Sequence, residues 1–198
     1  SCFQYLGSIV DASGGSKAVI KLRTSKASKV FKSLWRPLWR LRDVSIRTKA
    51  RIYDALVRSV LLYGAETWTV TQQIAKSLQR FEHMCFRSIL RVKWFQRRTN
   101  EDVRNRFFHP QPIEEVLKRR RLKLAGHVLR MDARRLPLRT LLAGQGPTWK
   151  RPRGRRVTTW RQLLVKELES VGLHRGSSVR DWRRSTASRS ITVPASVP

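Results

Sequence analysis

Apolar residues recur along most of this chain at steps of three and four, the spacing of a helix that buries one face. Ile74, Leu78, Phe81, Cys85, Ile89 and Val92 make the cleanest stripe, with Lys76, Arg80, Arg87 and Arg91 outside it and Thr71 placed as its N-cap. A second stripe, Ile46, Ala50, Tyr53, Val57, Val60 and Leu61, opens after Ser45 as N-cap and stops at Gly64. Ahead of both, Ile20, Ala27, Phe31, Leu34 and Leu38 lie on a different stripe from Lys17, Lys21, Ser25, Lys29, Lys32 and Arg36, which predicts an amphipathic helix with a cationic face. Thr99-Asn-Glu-Asp102 resembles a capping box opening a short helix. Pro112, Glu114 and Glu115 open another that ends among arginines near Arg130, acids first and bases last as the helix dipole favours. A last amphipathic helix is expected over residues 157–171.

Only the N-terminus reads as strand. Cys2 to Val10 is rich in aromatic and β-branched residues and runs into the turn-forming Asp11-Ala-Ser-Gly-Gly15. An orphan strand is not stable alone, so this one is expected to pair with its own downstream residues as a hairpin, to fray, or to associate with another chain. Glycines and two prolines between Gly144 and Gly154 read as a flexible basic connector and set a boundary near residue 145. The fold class is therefore mainly α. Its expected parts are a strand and turn over residues 1–15, a helical region over 16–143, the connector over 144–156, a C-terminal helical segment over 157–184 and a disordered tail over 185–198.

Charge points to the partner. Forty-three Lys and Arg against thirteen Asp and Glu give a formal charge of +30 and a pI near 11.8, far beyond what solubility requires, and such a surface attracts polyphosphate. With 40% hydrophobic residues, seven Trp and seven Phe, the chain can still build a core. Self-repulsion makes the fold marginal without counterions or nucleic acid. The cations fall in two blocks: nine Lys or Arg and no acid between Ala12 and Arg42, then fifteen against Asp132 alone between Val116 and Arg161. A merely solvated helix mixes signs for i,i+4 pairing, whereas a one-sign face repels itself until phosphates neutralise it.

The stretch SIRTKARIYDALVRSVLLYGAETW, Ser45 to Trp68, closely resembles a segment of non-LTR retrotransposon reverse transcriptases. The resemblance continues in order and spacing through Phe81-Glu-His-Met-Cys-Phe-Arg-Ser-Ile-Leu90, Trp94, Thr99-Asn-Glu-Asp-Val103, Arg119-Arg-Arg-Leu122 and Gly126-His-Val-Leu-Arg-Met131. It covers roughly residues 3–168. Thr159-Trp160 is present, preceded by a rearranged basic string, Lys150-Arg-Pro-Arg-Gly-Arg-Arg156, and Asp181-Trp-Arg183 echoes a family tryptophan. In that family the region follows the palm and forms the helical thumb, which grips template and primer. The resemblance thus implies a thumb-like helical bundle carrying a short strand or hairpin remnant of the palm. It also implies that Phe3, Tyr5, Leu6 and Gly7 form the turn that positions the primer end, and that a missing palm and fingers are partners of this chain. The missing initial Met and the orphan strand are read as marks of a truncated product.

Polymerisation needs Mg²⁺ ions held by clustered carboxylates, and the family carries these on an aspartate pair upstream. The resemblance therefore implies no catalytic residue, metal or cofactor on this chain, with Mg²⁺ belonging to the intact polymerase. The adjacent acids Glu101-Asp102 and Glu114-Glu115 sit at expected helix starts, where capping and dipole effects account for them. Cys2 and Cys85 are too few for a Cys-rich zinc site, and His83 and Cys85 point about 200° apart on one helix. Cys85 fits the apolar stripe as a free thiol. His127 reads either as a phosphate contact or as an ordinary helical histidine.

Trp35, Trp39, Trp94, Trp149, Trp160 and Trp182 lie among Arg or Lys, the combination that stacks bases while charges track the backbone. Trp149 and Trp160 flank the connector and are candidate base contacts, while Trp68 and Trp94 read as helix-packing residues. Lys150 to Arg156 reads equally as a nuclear-import signal. No run of eighteen apolar residues and no signal-peptide pattern occurs. The expectation is an intracellular, nuclear protein with neither a membrane nor a small molecule as partner.

The expected function is sequence-independent binding of template RNA, RNA·DNA hybrid or DNA. The expected contacts are Lys17, Lys21, Lys29, Lys32, Arg36, Arg119, Arg120, Arg121, Lys123, Arg151, Arg153, Arg155 and Arg156, joined by Trp149 and Trp160. Two rival readings stand beside it: a domesticated stand-alone nucleic-acid-binding module, and a non-functional transposon relic.

Overall fold

The computed structural model describes residues 2–5, 8–11, 16–108, 111–132, 134–142 and 158–170, the first two spans by backbone alone. It is mainly helical. Strands β1 (Cys2–Tyr5) and β2 (Ser8–Asp11) form an antiparallel hairpin, with Phe3 opposite Val10 and Tyr5 opposite Ser8. The expected strand thus pairs with its own downstream residues.

Helix α1 (Lys17–Ser33) buries Val19, Ile20, Arg23, Ala27 and Phe31, successive members of one helical stripe. It ends earlier than the sequence pattern suggests. Pro37 has no N–H to continue an α-helical ladder, and the chain widens instead into a π-helical turn, Trp35–Trp39, in which the Trp39 amide donates to the Leu34 carbonyl at 3.0 Å. Helix α2 (Ile46–Ile52) starts at Ser45, whose hydroxyl accepts from the Thr48 amide at 3.1 Å. It runs through a second π-helical turn, Tyr53–Arg58, into the single turn α3 (Ser59–Leu61). The wider turn brings Val57 and Arg58 inward together, where the 3.6-residue period alone places only Val57. Gly64, at φ +71°, then reverses the chain in a conformation costly for any residue with a Cβ.

Helix α4 (Gln72–Ile89) is capped by Thr71 and buries the stripe the sequence predicts, from Ile74 through Leu78, Phe81 and Cys85 to Ile89. Helix α5 (Asn100–Arg106) is capped by Thr99, whose hydroxyl accepts from the Asp102 amide at 3.1 Å. Each such cap contributes about 1 kcal/mol. Tyr53, Phe86 and Phe107 meet at the centre. Phe86 stacks on Phe107 at 4.3 Å between centroids, and Tyr53 sits edge-on to both at 5.1 and 5.9 Å.

Helix α6 (Ile113–Leu129) contains the division between two compact units, which falls between Leu117 and Lys118. The first unit's core runs from Val19 to Leu117. In the second, Leu122 and Ala125 pack with Leu164 and Leu168 of α8 (Trp160–Glu169), and α7 (Leu136–Leu142) buries Leu138. Thr159 and Gln162 form the reciprocal capping box that opens α8. The connector at 144–156 and the tail lie outside the described residues.

Candidate nucleic-acid interface

The face of α1 opposite its buried stripe carries Lys17, Lys21, Ser25, Lys29 and Lys32, all exposed. Among the described residues no ion pair engages these lysines. The first turn of α1 contains no acid, so the positive end of the helix dipole adds to Lys17 and Lys21. Lys17 and Lys21 also rim an open groove of about 460 Å³ between α1 and α4, floored by Ile20, Ile74 and Phe81. Arg36 is exposed but lies in the π-helical turn beyond α1, so the cationic face ends at Lys32.

In the second unit the helical period divides the arginine run. Arg119 and Lys123 are exposed one turn apart, His127 follows on the same face, and Arg120 is half-buried. Arg121 corrects the sequence expectation. It points inward with Leu122 and Ala125 and forms an ion pair with Glu167 of α8. Burial holds the Glu167 carboxyl above the usual carboxylate range, against the opposing pull of Arg121 and Lys118. Lys118 donates to the Ser170 hydroxyl at 2.7 Å. Arg121 and Lys118 therefore serve the unit's interior and edge rather than its open surface.

Trp160 is half-buried against Leu122, Ala125, Leu164 and Leu168. Trp68 is buried, as expected of a packing residue, but Trp94 is not: it is 91% exposed and meets the Phe95 ring edge-on at 6.0 Å. Trp94 opens a 3₁₀ turn, Trp94–Gln96, held by Lys93 and Gln96, which turns its ring away from the core. Phe3 and Tyr5 lie on β1, whereas Leu6 and Gly7 fall outside the described residues, as do Trp149, Arg151, Arg153, Arg155 and Arg156.

Several charges are placed inside, two of them, Arg23 and Lys49, on the buried stripes of their own helices. Arg23 is buried with its guanidinium 4.1 Å above the Tyr63 ring. Lys49 is buried and donates to the Trp39 carbonyl at 3.3 Å and the Leu41 carbonyl at 2.5 Å, tying down the end of the first π-helical turn. Burial first, and then Arg91, lower its ammonium from the ordinary lysine value. Arg58 reaches Glu82 at 2.9 Å, Asp54 at 3.3 Å and the Gln111 carbonyl. Burial pushes Glu82 up to about 7, outweighing the pull of Arg58. The same surroundings push the Cys85 thiol up to about 12, chiefly through burial and then Glu82.

The adjacent acids singled out in the sequence have local partners or helix-start positions. Asp102 pairs with Arg98 at 3.5 Å and Arg106 at 3.4 Å, while Glu114 and Glu115 occupy the first turn of α6. Among the described residues no group of three His, Cys, Asp or Glu is arranged to hold a metal, and no helix is long and apolar enough to cross a membrane. No family model matches the chain, and no curated protein or solved structure matches it.

Proposed function

We propose that this chain grips an RNA strand or an RNA·DNA hybrid through sequence-independent phosphate contacts, as the thumb and post-thumb region of a non-LTR retrotransposon reverse transcriptase. The observation that carries the reading is the acid-free face of α1. Lys17, Lys21, Lys29 and Lys32 stand exposed on one side of a helix whose other side is committed to the core. Phosphates relieve their mutual repulsion, and the +30 chain accelerates encounter with any polyanion. Arg119 and Lys123 extend the same chemistry in the second unit. In this reading the phosphoryl chemistry and its Mg²⁺ belong to palm carboxylates, and no catalytic step is assigned to the residues described above. Work beside a nuclear template also fits the Lys150–Arg156 string as an import signal.

The test is binding to RNA·DNA hybrid, single-stranded RNA and heparin across a salt series, for the wild type and for Lys21→Glu/Lys29→Glu/Lys32→Glu. The wild type should prefer hybrid or RNA to heparin. The triple variant should lose affinity and flatten the log–log salt slope by about 2, at roughly 0.7–0.9 per phosphate contact. Unchanged affinity and slope in the variant would sink the proposal, and equal wild-type binding to all three polyanions would leave only a polycation, as in a relic. The self-contained core of the first unit, Val19 to Leu117, favours one rival reading, a module that folds without a palm. A monomeric, cooperative melt supports that rival.

A further inference from the structure

At the end of α1, Trp35, Trp39, Arg40, Arg42 and Arg91 line an open pocket of about 490 Å³. Its size is that of small-ligand sites, which span roughly 300–1,000 Å³. Trp39 forms the floor. It is 1% exposed, donates from Nε1 to the Phe31 carbonyl at 2.9 Å and stacks on the Phe31 ring at 5.5 Å. Trp35 is different: 42% of it is exposed, and its aromatic neighbour among the described residues, Phe31, is tilted at 56° with centroids 6.3 Å apart rather than stacked on it. Arg40, Arg42 and Arg91 are all exposed, and no carboxylate lines the pocket. Asp43 follows Arg42 in the chain, yet among the described residues it forms no ion pair with any of the three. The buried Lys49 lies close enough to Arg91 to feel its charge. The negative end of the α4 dipole, about half an elementary charge, does not offset three guanidiniums.

Arg91 stands where a small, permissive residue is expected. The Val92 amide donates to the Arg87 carbonyl at 2.9 Å and the Arg91 amide to the Ser88 carbonyl at 3.3 Å, a Schellman C-cap for α4. The residue in its left-handed position is usually Gly, but here it is Arg91 at φ +56°. That backbone is strained for an arginine, and it aims the side chain across to the Arg40 carbonyl, 2.5 Å away.

We propose that this pocket holds one nucleotide unit of a single-stranded nucleic acid, its base stacked on Trp35 and its phosphate held by Arg40, Arg42 and Arg91. The inference rests on the nucleic-acid reading above and adds to it a site that discriminates strand from mere polyanion. A base explains the exposed indole, and a phosphate explains three arginines gathered without an acid.

The experiment compares a short RNA oligonucleotide with inorganic polyphosphate as probes, on the wild-type chain, Trp35→Leu and Arg91→Gly. Trp35→Leu should weaken oligonucleotide binding by about 5- to 150-fold, the range of losing one base stack, and leave polyphosphate binding unchanged. Arg91→Gly should weaken both probes and flatten the salt slope by about 1, while urea stability stays level or rises because glycine suits the left-handed position. A wild type that binds RNA while Trp35→Leu, folded by circular dichroism, binds it equally well would overturn the pocket assignment and spare the α1 reading. The same holds if Arg91→Gly loses stability but no affinity, since Arg91 then serves only the fold. A wild type that does not favour RNA over polyphosphate overturns both.

Discussion

Replacing Arg58 by methionine isolates the cost of the charge buried beside the aromatic centre. The Arg58 side chain is 10% exposed and that of Glu82 only 5%, with 2.9 Å between Nε and the carboxylate. Methionine keeps most of the volume but leaves Glu82 without its nearest cation. Removing one partner of a buried pair costs about 3–5 kcal/mol, a large part of the 5–15 kcal/mol typical of a whole domain. The cost depends on pH. Glu82 already has a folded-state value of about 7, above its ordinary 4.5. The stability it contributes is therefore complete below about pH 4.5 and is lost as pH rises through about 7. Arg58 pulls that value down, so without Arg58 it climbs further and the loss continues to higher pH. Arg58→Met should be most destabilising at about pH 8 and much less so at about pH 5, where Glu82 is protonated. Arg58→Met/Glu82→Leu should recover most of the loss, because a packed apolar pair needs no compensation. Urea titrations followed by far-ultraviolet circular dichroism at both pH values measure all three. A single-variant cost below about 1 kcal/mol at pH 8, the level of an exposed pair, or one equal at both pH values, would refute the reasoning.

Gly64→Ala should cost about 1 kcal/mol, read as a shift in urea midpoint. A Cβ at Gly64 meets no atom within 4 Å, so the penalty is that of φ +71° alone, and a neutral result would remove the argument. Cys85, fully buried with its thiol pushed up to about 12, should resist an aromatic disulfide reagent at about pH 8 in the native state and react promptly in denaturant. With Cys2 replaced by Ser so that Cys85 is the single thiol, native labelling at the rate of a free thiol would contradict that burial.

The caps at Ser45, Thr71 and Thr99 and the α4 stripe were legible because each depends on residues a few positions apart, whereas the capping box at Thr159 came only from the structure. The interruptions were not. A π-helical turn conserves the apolar pattern on either side while rotating residues within and beyond it, so Arg58 was indistinguishable from an exposed cation. Lys49 keeps the ordinary helical period, and only the Trp39 and Leu41 carbonyls that the fold brings to it give its charge an interior role. Arg121 closes a run of four cations, Lys118 to Arg121, and its partner Glu167 comes from a different helix, a pairing no local pattern encodes. The pocket at Trp35 was equally hidden. Its arginines come from the loop after α1 and from the end of α4, and only the fold brings position 91 near position 40. The lysine face of α1, by contrast, could be read directly, because a missing sign of charge along one helix is itself a local pattern.

Among the described residues the β1–β2 hairpin is two-stranded, so within that sheet each strand has one edge whose N–H and C=O groups have no ladder partner. Between copies of a +30 chain, such edges are kept apart by repulsion that reaches roughly 10 Å at 0.1 M salt and 3 Å at 1 M. Added salt therefore acts twice on this molecule. The ions that loosen its hold on a polyanion also bring strand edges within reach of one another, which would register as light scattering rising with salt. Its colloidal stability and its grip then share one electrostatic origin, and a polyanion bound along α1, by cancelling that repulsion, would act on the edges as salt does.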